Sequence, residues 1–290
     1  MVGGIEGVAF DCFGTLIDFS DEAFAKAYGV ICAEQGLPVS GEAFYEKWME
    51  VWRRLARDGA SSSAYGMGFA HGEEAAAAVN RPAALSAAET VPGHPEHHRA
   101  QPVRARPLDG PVPPFRTYRE EWTEHFALCF EEMGLQGDAA AAHERLRQLI
   151  AQGAAFPDSR RTVETIGRRL PTALMSNADD DFLYPCLGRN GLAFPVVVTS
   201  EEARTYKPHV AIFRRLCEAM ALPPDKVLYV GDSRLADVTG AKHAGLKAAW
   251  VNRARGDGRT SEWGSRGREL LEPDFEVDSL TGLLEVLGLQ

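Results

Sequence analysis

The sequence predicts an α/β fold with a parallel sheet, and three observations carry that prediction. Val8, Ala9 and Phe10 form a short apolar run that ends on a carboxylate, Asp11. Residues 155–290 alternate short apolar runs with amphipathic stretches, the pattern of successive strand–helix units. Residues 19–154 read differently: they are mostly helical in period, with an irregular middle.

After the first strand and its turn (1–18), a helix over Asp21 to Gln35 gathers Phe24, Ala27, Tyr28, Ile31 and Cys32 on one face. A second, Glu42 to Arg57, gathers Phe44, Trp48, Val51, Trp52 and Leu55. A third, Thr117 to Met133, carries Tyr118, Trp122, Phe126, Leu128 and Phe130, and a fourth, Ala139 to Gln152, carries Leu146, Leu149 and Ile150. Four such helices make a small helical domain. Between the second and third lies 58–116, rich in Ala, Gly, Pro, Ser and His, with one short helix expected at 73–79 and the remainder read as mobile. His94, His97 and His98 fall there, without the carboxylate or Cys spacing of a metal site, and read as part of a solvated loop.

Further strands are expected at Thr172–Met175, Val196–Thr199, Val227–Gly231, Ala248–Asn252 and Phe275–Val277. Helices fill the gaps at 158–169, 179–190, 208–221 and 235–244. Pro208 suits a helix start and Gly245 a helix stop. Residues 254–272 read as a polar loop with a short helix.

The chain has 290 residues, which allows one large domain or a core with a smaller companion. Its net charge of -10 argues against a nucleic-acid partner, which would need a basic surface. It leaves room for a small anionic organic substrate at a locally cationic site. No apolar run approaches the ~20 residues of a membrane span, so no membrane partner is expected. No basic segment followed by an apolar stretch opens the chain, and cytoplasmic is the default. Cys12, Cys32, Cys129, Cys186 and Cys217 form no Cys-x-x-Cys pair and read as reduced thiols. Alternation turns Cys12 away from the face of Asp11, so it reads as a small buried hydrophobe.

Four motifs fall near strand ends, in order. They are Asp11-x-Phe13-Gly14-Thr15, Ser176-Asn177, Lys207-Pro208 and Gly231-Asp232-Ser233-x-x-x-Asp237. Each alone is a common turn or helix cap. Together they are specific, because parallel strands deliver their carboxyl ends to one edge of the sheet. Two or three carboxylates, one ammonium and two hydroxyls would meet there. Carboxylates that close need a counter-ion, and Mg²⁺ is a hard cation suited to them.

These residues resemble the haloacid dehalogenase-like (HAD) hydrolase superfamily. The resemblance covers residues 5–18 and roughly 155–253. It implies a Rossmann-like parallel-sheet core from 1–18 and 155–290, with an inserted α-helical cap domain over 19–154. It also implies roles. Asp11 is the nucleophile and forms a covalent aspartyl intermediate. Thr15 and Ser176 hydrogen-bond the transferring group, Asn177 borders the cap side, and Lys207 neutralises developing charge. Asp11, the backbone carbonyl of Phe13 and Asp232 hold Mg²⁺. Asp237 supports Lys207 or the metal's surroundings, with Ser233 assisting or capping a helix.

Phe13 departs from the pattern. Phosphatases of the family usually carry a second Asp there, which protonates the leaving alcohol and later activates water. The reading favoured is a Mg²⁺-dependent phosphohydrolase of a small metabolite, with a modified acid–base system and a monomeric or homodimeric state. A 2-haloacid dehalogenase is the alternative, since halide leaves without a proton and the family's dehalogenases carry an aromatic here. Asp232 opposes it, as does Met49 where a cap Arg would follow Trp48, although Arg53 and Arg54 lie one turn on. Cleavage of a carbon–phosphorus bond would call on a cap lysine, Lys26 or Lys47. A catalytically weakened binding or regulatory protein is the third alternative. Trp48, Trp52, Tyr118 and Trp122 either line a pocket or fill the core of the helical region.

Overall fold

The computed structural model describes residues 4–58 (56–58 as backbone alone), 108–253 and 270–289. Its sheet contains β1 (Gly7–Phe10), β2 (Thr172–Ser176), β3 (Val196–Thr199), β4 (Val227–Gly231), β5 (Lys247–Val251) and β6 (Phe275–Val277), in the order β3-β2-β1-β4-β5-β6. Every neighbouring pair runs parallel. The expected strands are all present, within a residue at their ends. The short helix expected at 73–79, His94, His97 and His98, and 254–269 of the polar loop lie outside the described residues.

Parallel strands covered on both faces need apolar side chains on both. Val8, Phe10, Leu174, Leu228 and Val230 enter one core cluster, while Ala9, Ala173, Met175, Tyr229 and Trp250 enter the other. The second face is covered by α8 (Val210–Met220), through Ile212, Phe213 and Leu216, and by Ala241 of α9 (Gly240–His243). The first is covered by α5 (Ser159–Gly167), α6 (Asp180–Arg189) and α10 (Thr281–Leu287). The same core continues into α1 (Asp21–Glu34), α2 (Gly41–Asp58), α3 (Tyr118–Glu132) and α4 (Ala139–Ile150).

Local chemistry starts these helices where they start. Ser20 caps α1, Asp138 caps α4, and Thr117 with Glu120 forms a reciprocal capping box on α3. Tyr28, Trp48 and Phe126 pack among α1, α2 and α3 at centroid distances of 4.8–5.8 Å. Asp179, the residue before α6, joins this helical layer to the sheet. Its two carboxylate oxygens accept the backbone N–H groups of Tyr118 and Arg119, at 3.0 and 2.9 Å.

Two helix expectations are corrected. Pro208 does not open α8: it follows Lys207 across a cis peptide bond, and His209 caps the helix by accepting Ala211 N–H at 3.1 Å. The helix expected at 235–244 is a π-helical turn, Arg234–Thr239, that passes into α9. The N–H groups of Asp237 and Val238 both donate to the carbonyl of Ser233, which widens the turn.

The order of strands locates the crevice. From β1 the chain moves to β2 and β3 on one side, then returns past β1 to β4 on the other. The switch lies between β1 and β4, and ligands of open α/β sheets bind outside the strand ends at that point. Phe10 pairs with Leu174 and Val230, so Asp11 leaves the sheet level with Met175 and Gly231, and Ser176 follows one residue on.

Burial, partly offset by the two backbone N–H groups, pushes the Asp179 carboxyl up to about 7. A carboxyl raised on folding stabilises the fold fully below the unfolded value of about 4, and that contribution is lost as pH rises to about 7. Urea unfolding between pH 4.5 and 7.5 should therefore show stability falling by up to about 1 kcal/mol per pH unit relative to Asp179→Asn. A variant with the same pH slope as the parent would refute this assignment.

Candidate active site

A cavity of about 50 Å³ lies at the switch point. Its sheet side is formed by Asp11, Ser176, Asn177, Lys207, Asp232 and Asp237, and its opposite side by Phe13, Phe19, Tyr118, Trp122 and Phe182. The structure thus brings Asp11, Ser176, Asn177, Lys207, Asp232 and Asp237 together from four distant stretches of chain. Ser233 also lines the cavity. Its hydroxyl accepts Ala236 N–H at 3.0 Å, so it caps the π-helical turn.

Lys207 organises the cluster. Its Nζ donates to Asp11 Oδ1 at 2.6 Å, to Asp237 Oδ1 at 2.7 Å and to the Tyr229 hydroxyl at 3.0 Å. These three bonds exhaust its donors. Burial works against the ammonium, but Asp11 and Asp237 override it and hold the lysine pKa well above its usual value. Asp11 feels the converse. Burial raises it, Lys207 lowers it, Asp237 raises it again, and the carboxyl settles at about 6.

Asn177 fixes the backbone at Lys207, accepting its N–H at 2.8 Å and donating to its carbonyl at 3.2 Å. Asp237 accepts the Ser233 N–H at 2.9 Å with its second oxygen. The Thr15 hydroxyl lies between Asp11 Oδ2 at 3.2 Å and Asp232 Oδ1 at 2.9 Å. It is turned toward the carboxylates and does not line the cavity, so in this structure it braces two acids rather than facing a transferring group.

Two glycines permit the close approach. At Gly14, where φ is +90°, a Cβ would sit 2.5 Å from Asp232 Oδ2. At Gly231 a Cβ would sit 2.3 Å from Asp237 Cγ.

Carboxylate oxygens of Asp11, Asp232 and Asp237 lie within 4.8 Å of one another. All three line the cavity; Asp237 is bonded to Lys207 and the Ser233 N–H, Asp11 to Lys207 and Thr15, and Asp232 to Thr15. Burial, then the charges of Asp11 and Asp237, push the Asp232 carboxyl well above its usual range. Hard oxygen donors under that electrostatic load fit a divalent cation such as Mg²⁺.

Sequence reasoning missed the residues that hold this cluster from behind. The Tyr229 hydroxyl accepts from Lys207 and donates to the Met175 carbonyl at 2.8 Å. Trp250 Nε1–H donates to the Asp232 carbonyl at 2.8 Å, and Arg234 stacks over its ring. Arg253 Nη2 donates to the Thr15 carbonyl at 2.9 Å and pairs with Asp158. One sequence signal was available: a phenol inside a wholly apolar strand needs a buried partner.

The four aromatics weighed for the pocket divide. Tyr118 and Trp122 line it, whereas Trp48 and Trp52 are buried in the helical core. The cationic alternatives are not among its lining residues. Lys26 pairs with Glu22, Lys47 with Glu50 and Glu132, and Arg54 with Glu132. Arg53 stands exposed on α2. All five cysteines are free and buried, Cys12 among apolar neighbours. Among the described residues no helix is long and apolar enough to cross a membrane.

Comparison with known proteins agrees with this architecture. A family model described as haloacid dehalogenase-like hydrolase matches residues 5–245. The phosphoglycolate phosphatase of Shigella boydii is 27% identical over 289 residues, covering 98% of this chain and 93% of the relative. Among solved structures, YfnB from Bacillus subtilis bound to magnesium superposes with a TM-score of 0.66 at 17% identity, covering 99% of this chain and 100% of that one. The L-2-haloacid dehalogenase from Xanthobacter autotrophicus gives 0.63 at 18% identity, with 98% of each chain covered.

Gly14→Ala should force the Asp232 carboxylate out of place and strain a left-handed backbone. Denaturant unfolding should show a loss of about 1–3 kcal/mol, typical of overpacking. A midpoint equal to the parent's would show that the two strand-end loops are not in this close contact.

Proposed function

Starting from a chain that belongs to the haloacid dehalogenase-like hydrolases, we propose that it is a Mg²⁺-dependent phosphohydrolase of a small metabolite. One observation carries the reading: Asp232 stands beside Asp11 in a cluster whose single ammonium is already shared by Asp11 and Asp237. A halide-displacing site needs no second cation, and a second carboxylate facing a carboxylate nucleophile would hinder an anionic substrate. A phosphohydrolase site uses that carboxylate to hold its metal. The phosphatase relative, similar over nearly its whole length, supports the same reading.

In this reading residues 19–154 act as a cap over a core formed by 1–18 and 155–290. Asp11 and Asp232, with the Phe13 carbonyl, hold Mg²⁺, which when bound neutralises charge on the phosphoryl oxygens. Lys207 holds Asp11 ionised and aims its carboxylate into the cavity. An Asp11 oxygen attacks phosphorus, the bond to the leaving oxygen breaks, and an aspartyl phosphate forms. Lys207 offsets the charge that develops on the transferring group. Ser176 orients that group from the end of β2, Asn177 fixes the backbone at Lys207, and Thr15 steadies Asp11 against Asp232. Asp237 keeps Lys207 in place. Water then hydrolyses the aspartyl phosphate and regenerates Asp11.

Phe13 gives a second reading its foothold. An aromatic in place of an acid suits halide, which departs unprotonated, and so a 2-haloacid dehalogenase is the alternative. Parallel assays of an aryl phosphate and of 2-chloropropionate, each with Mg²⁺ or EDTA, separate the two. The proposal expects turnover of the phosphate alone, and its loss in EDTA. Turnover of chloropropionate indifferent to EDTA would overturn it in favour of the dehalogenase, and turnover of neither would favour a binding role. Asp11→Asn should lower phosphate turnover by more than about 10³-fold and abolish covalent labelling of the chain. Activity retained in that variant would remove Asp11 as the nucleophile.

A further inference from the structure

Cleavage of an alkyl phosphate leaves an alkoxide that needs a proton, and Phe13 has none to give. The cavity holds few groups that do. Lys207 spends its three donors on Asp11, Asp237 and Tyr229. Ser176 and Asn177 stand on the sheet side, with the nucleophile. In an in-line displacement the leaving oxygen departs on the side of phosphorus opposite the attacking atom. With Asp11 at the end of β1, that side is the one formed by α3 and the aromatic residues.

Tyr118 stands there. It is the first residue of α3, it lines the cavity, and it is 2% exposed. Its ring is locked by Trp122 at 4.5 Å and by Tyr206 at 5.2 Å between centroids. Its backbone N–H is anchored on Asp179 at 3.0 Å, so the start of α3 is tied to the loop after β2. Its hydroxyl has no hydrogen-bond partner among the described residues, unlike that of Tyr206, which donates to the Arg116 carbonyl at 2.8 Å. The hydroxyl is therefore open to a ligand at the cavity wall.

We propose that Tyr118 is the proton donor to the leaving oxygen, taking the place of the acid absent at position 13. This rests on the phosphohydrolase reading and names the part of it that the sequence left open. As Asp11 attacks phosphorus, the bond from phosphorus to the leaving oxygen breaks, and that oxygen takes the Tyr118 hydroxyl proton to leave as an alcohol. Tyr118 is then a phenolate. It recovers a proton from the attacking water, whose oxygen bonds to phosphorus and releases phosphate and Asp11. The sum is ester plus water giving alcohol plus phosphate. Burial, followed by the nearby Glu121 and Asp179 charges, holds the phenol well above its usual value, so it enters the reaction protonated. The substrate class follows: an ester of a small alcohol, able to place its bridging oxygen against α3.

The test compares leaving groups in the Mg²⁺-loaded enzyme. Glycerol phosphate leaves as a basic alkoxide, whereas p-nitrophenyl phosphate leaves as a stable phenolate. General acid catalysis is worth about 10²–10⁴-fold, so Tyr118→Phe should lower kcat for glycerol phosphate at least about 10²-fold further than kcat for p-nitrophenyl phosphate. KM for the two should change alike. An equal loss on both substrates would assign Tyr118 a packing role and overturn the proposal, as would no loss on either. A parent enzyme active on the aryl ester but inert toward alkyl phosphates would also overturn it, while leaving the phosphohydrolase reading intact. A parent inert toward both esters would take that reading down first, and the two failures are thereby distinguished.

Discussion

One ammonium group governs this site. Lys207 is buried and touches Asp11, Asp237 and Tyr229 at 2.6–3.0 Å. Without it, carboxylates brought together at the strand ends would repel one another in a region that solvates charge poorly. With it, Asp11 and Asp237 share a single positive charge, and Asp232 brings the cluster to three carboxyl groups around one ammonium. That imbalance is the electrostatic basis for reading a cation site here.

The sheet exists to hold this arrangement. Its strand order places the switch between β1 and β4, the two strands that deliver Asp11 and Asp232. Bare backbone at Gly14 lets the loop after β1 meet Asp232, and at Gly231 it lets Asp237 fold back against the end of its own strand. Trp250, Tyr229 and Arg253 hold the same loops from the sheet side through hydrogen bonds to backbone or to Lys207. The helical layer adds the opposite wall, where Tyr118 and Trp122 face the cavity while Trp48 and Trp52 fill the core behind them.

The sheet and its motifs were legible in the sequence because their logic is local. An apolar run ending in Asp11 or Gly231-Asp232 reads as a strand delivering an acid to the edge, and parallel strands share that edge. The supporting residues were not legible for the opposite reason. Trp250 reaches Asp232 from the neighbouring strand, and Arg253 reaches Thr15 across 238 residues of sequence. No spacing rule records such contacts. Trp48 and Trp122 have the same helical period, and only the placement of α3 against the sheet separates core from pocket. At Pro208, residue propensity pointed to a helix start, but the next side chain, His209, caps the helix by accepting the Ala211 N–H.

The central claim is that Asp11 and Asp232 form a cation site completed by neither Lys207 nor the protein alone. Calorimetric titration of the metal-stripped protein with MgCl₂ tests it without recourse to any substrate. The account predicts one equivalent of Mg²⁺ bound, with affinity reduced at least about tenfold in a folded Asp232→Asn variant, the scale of loss expected when a hard cation loses a carboxylate ligand. Binding of equal strength in that variant, or no binding to the parent, would contradict it.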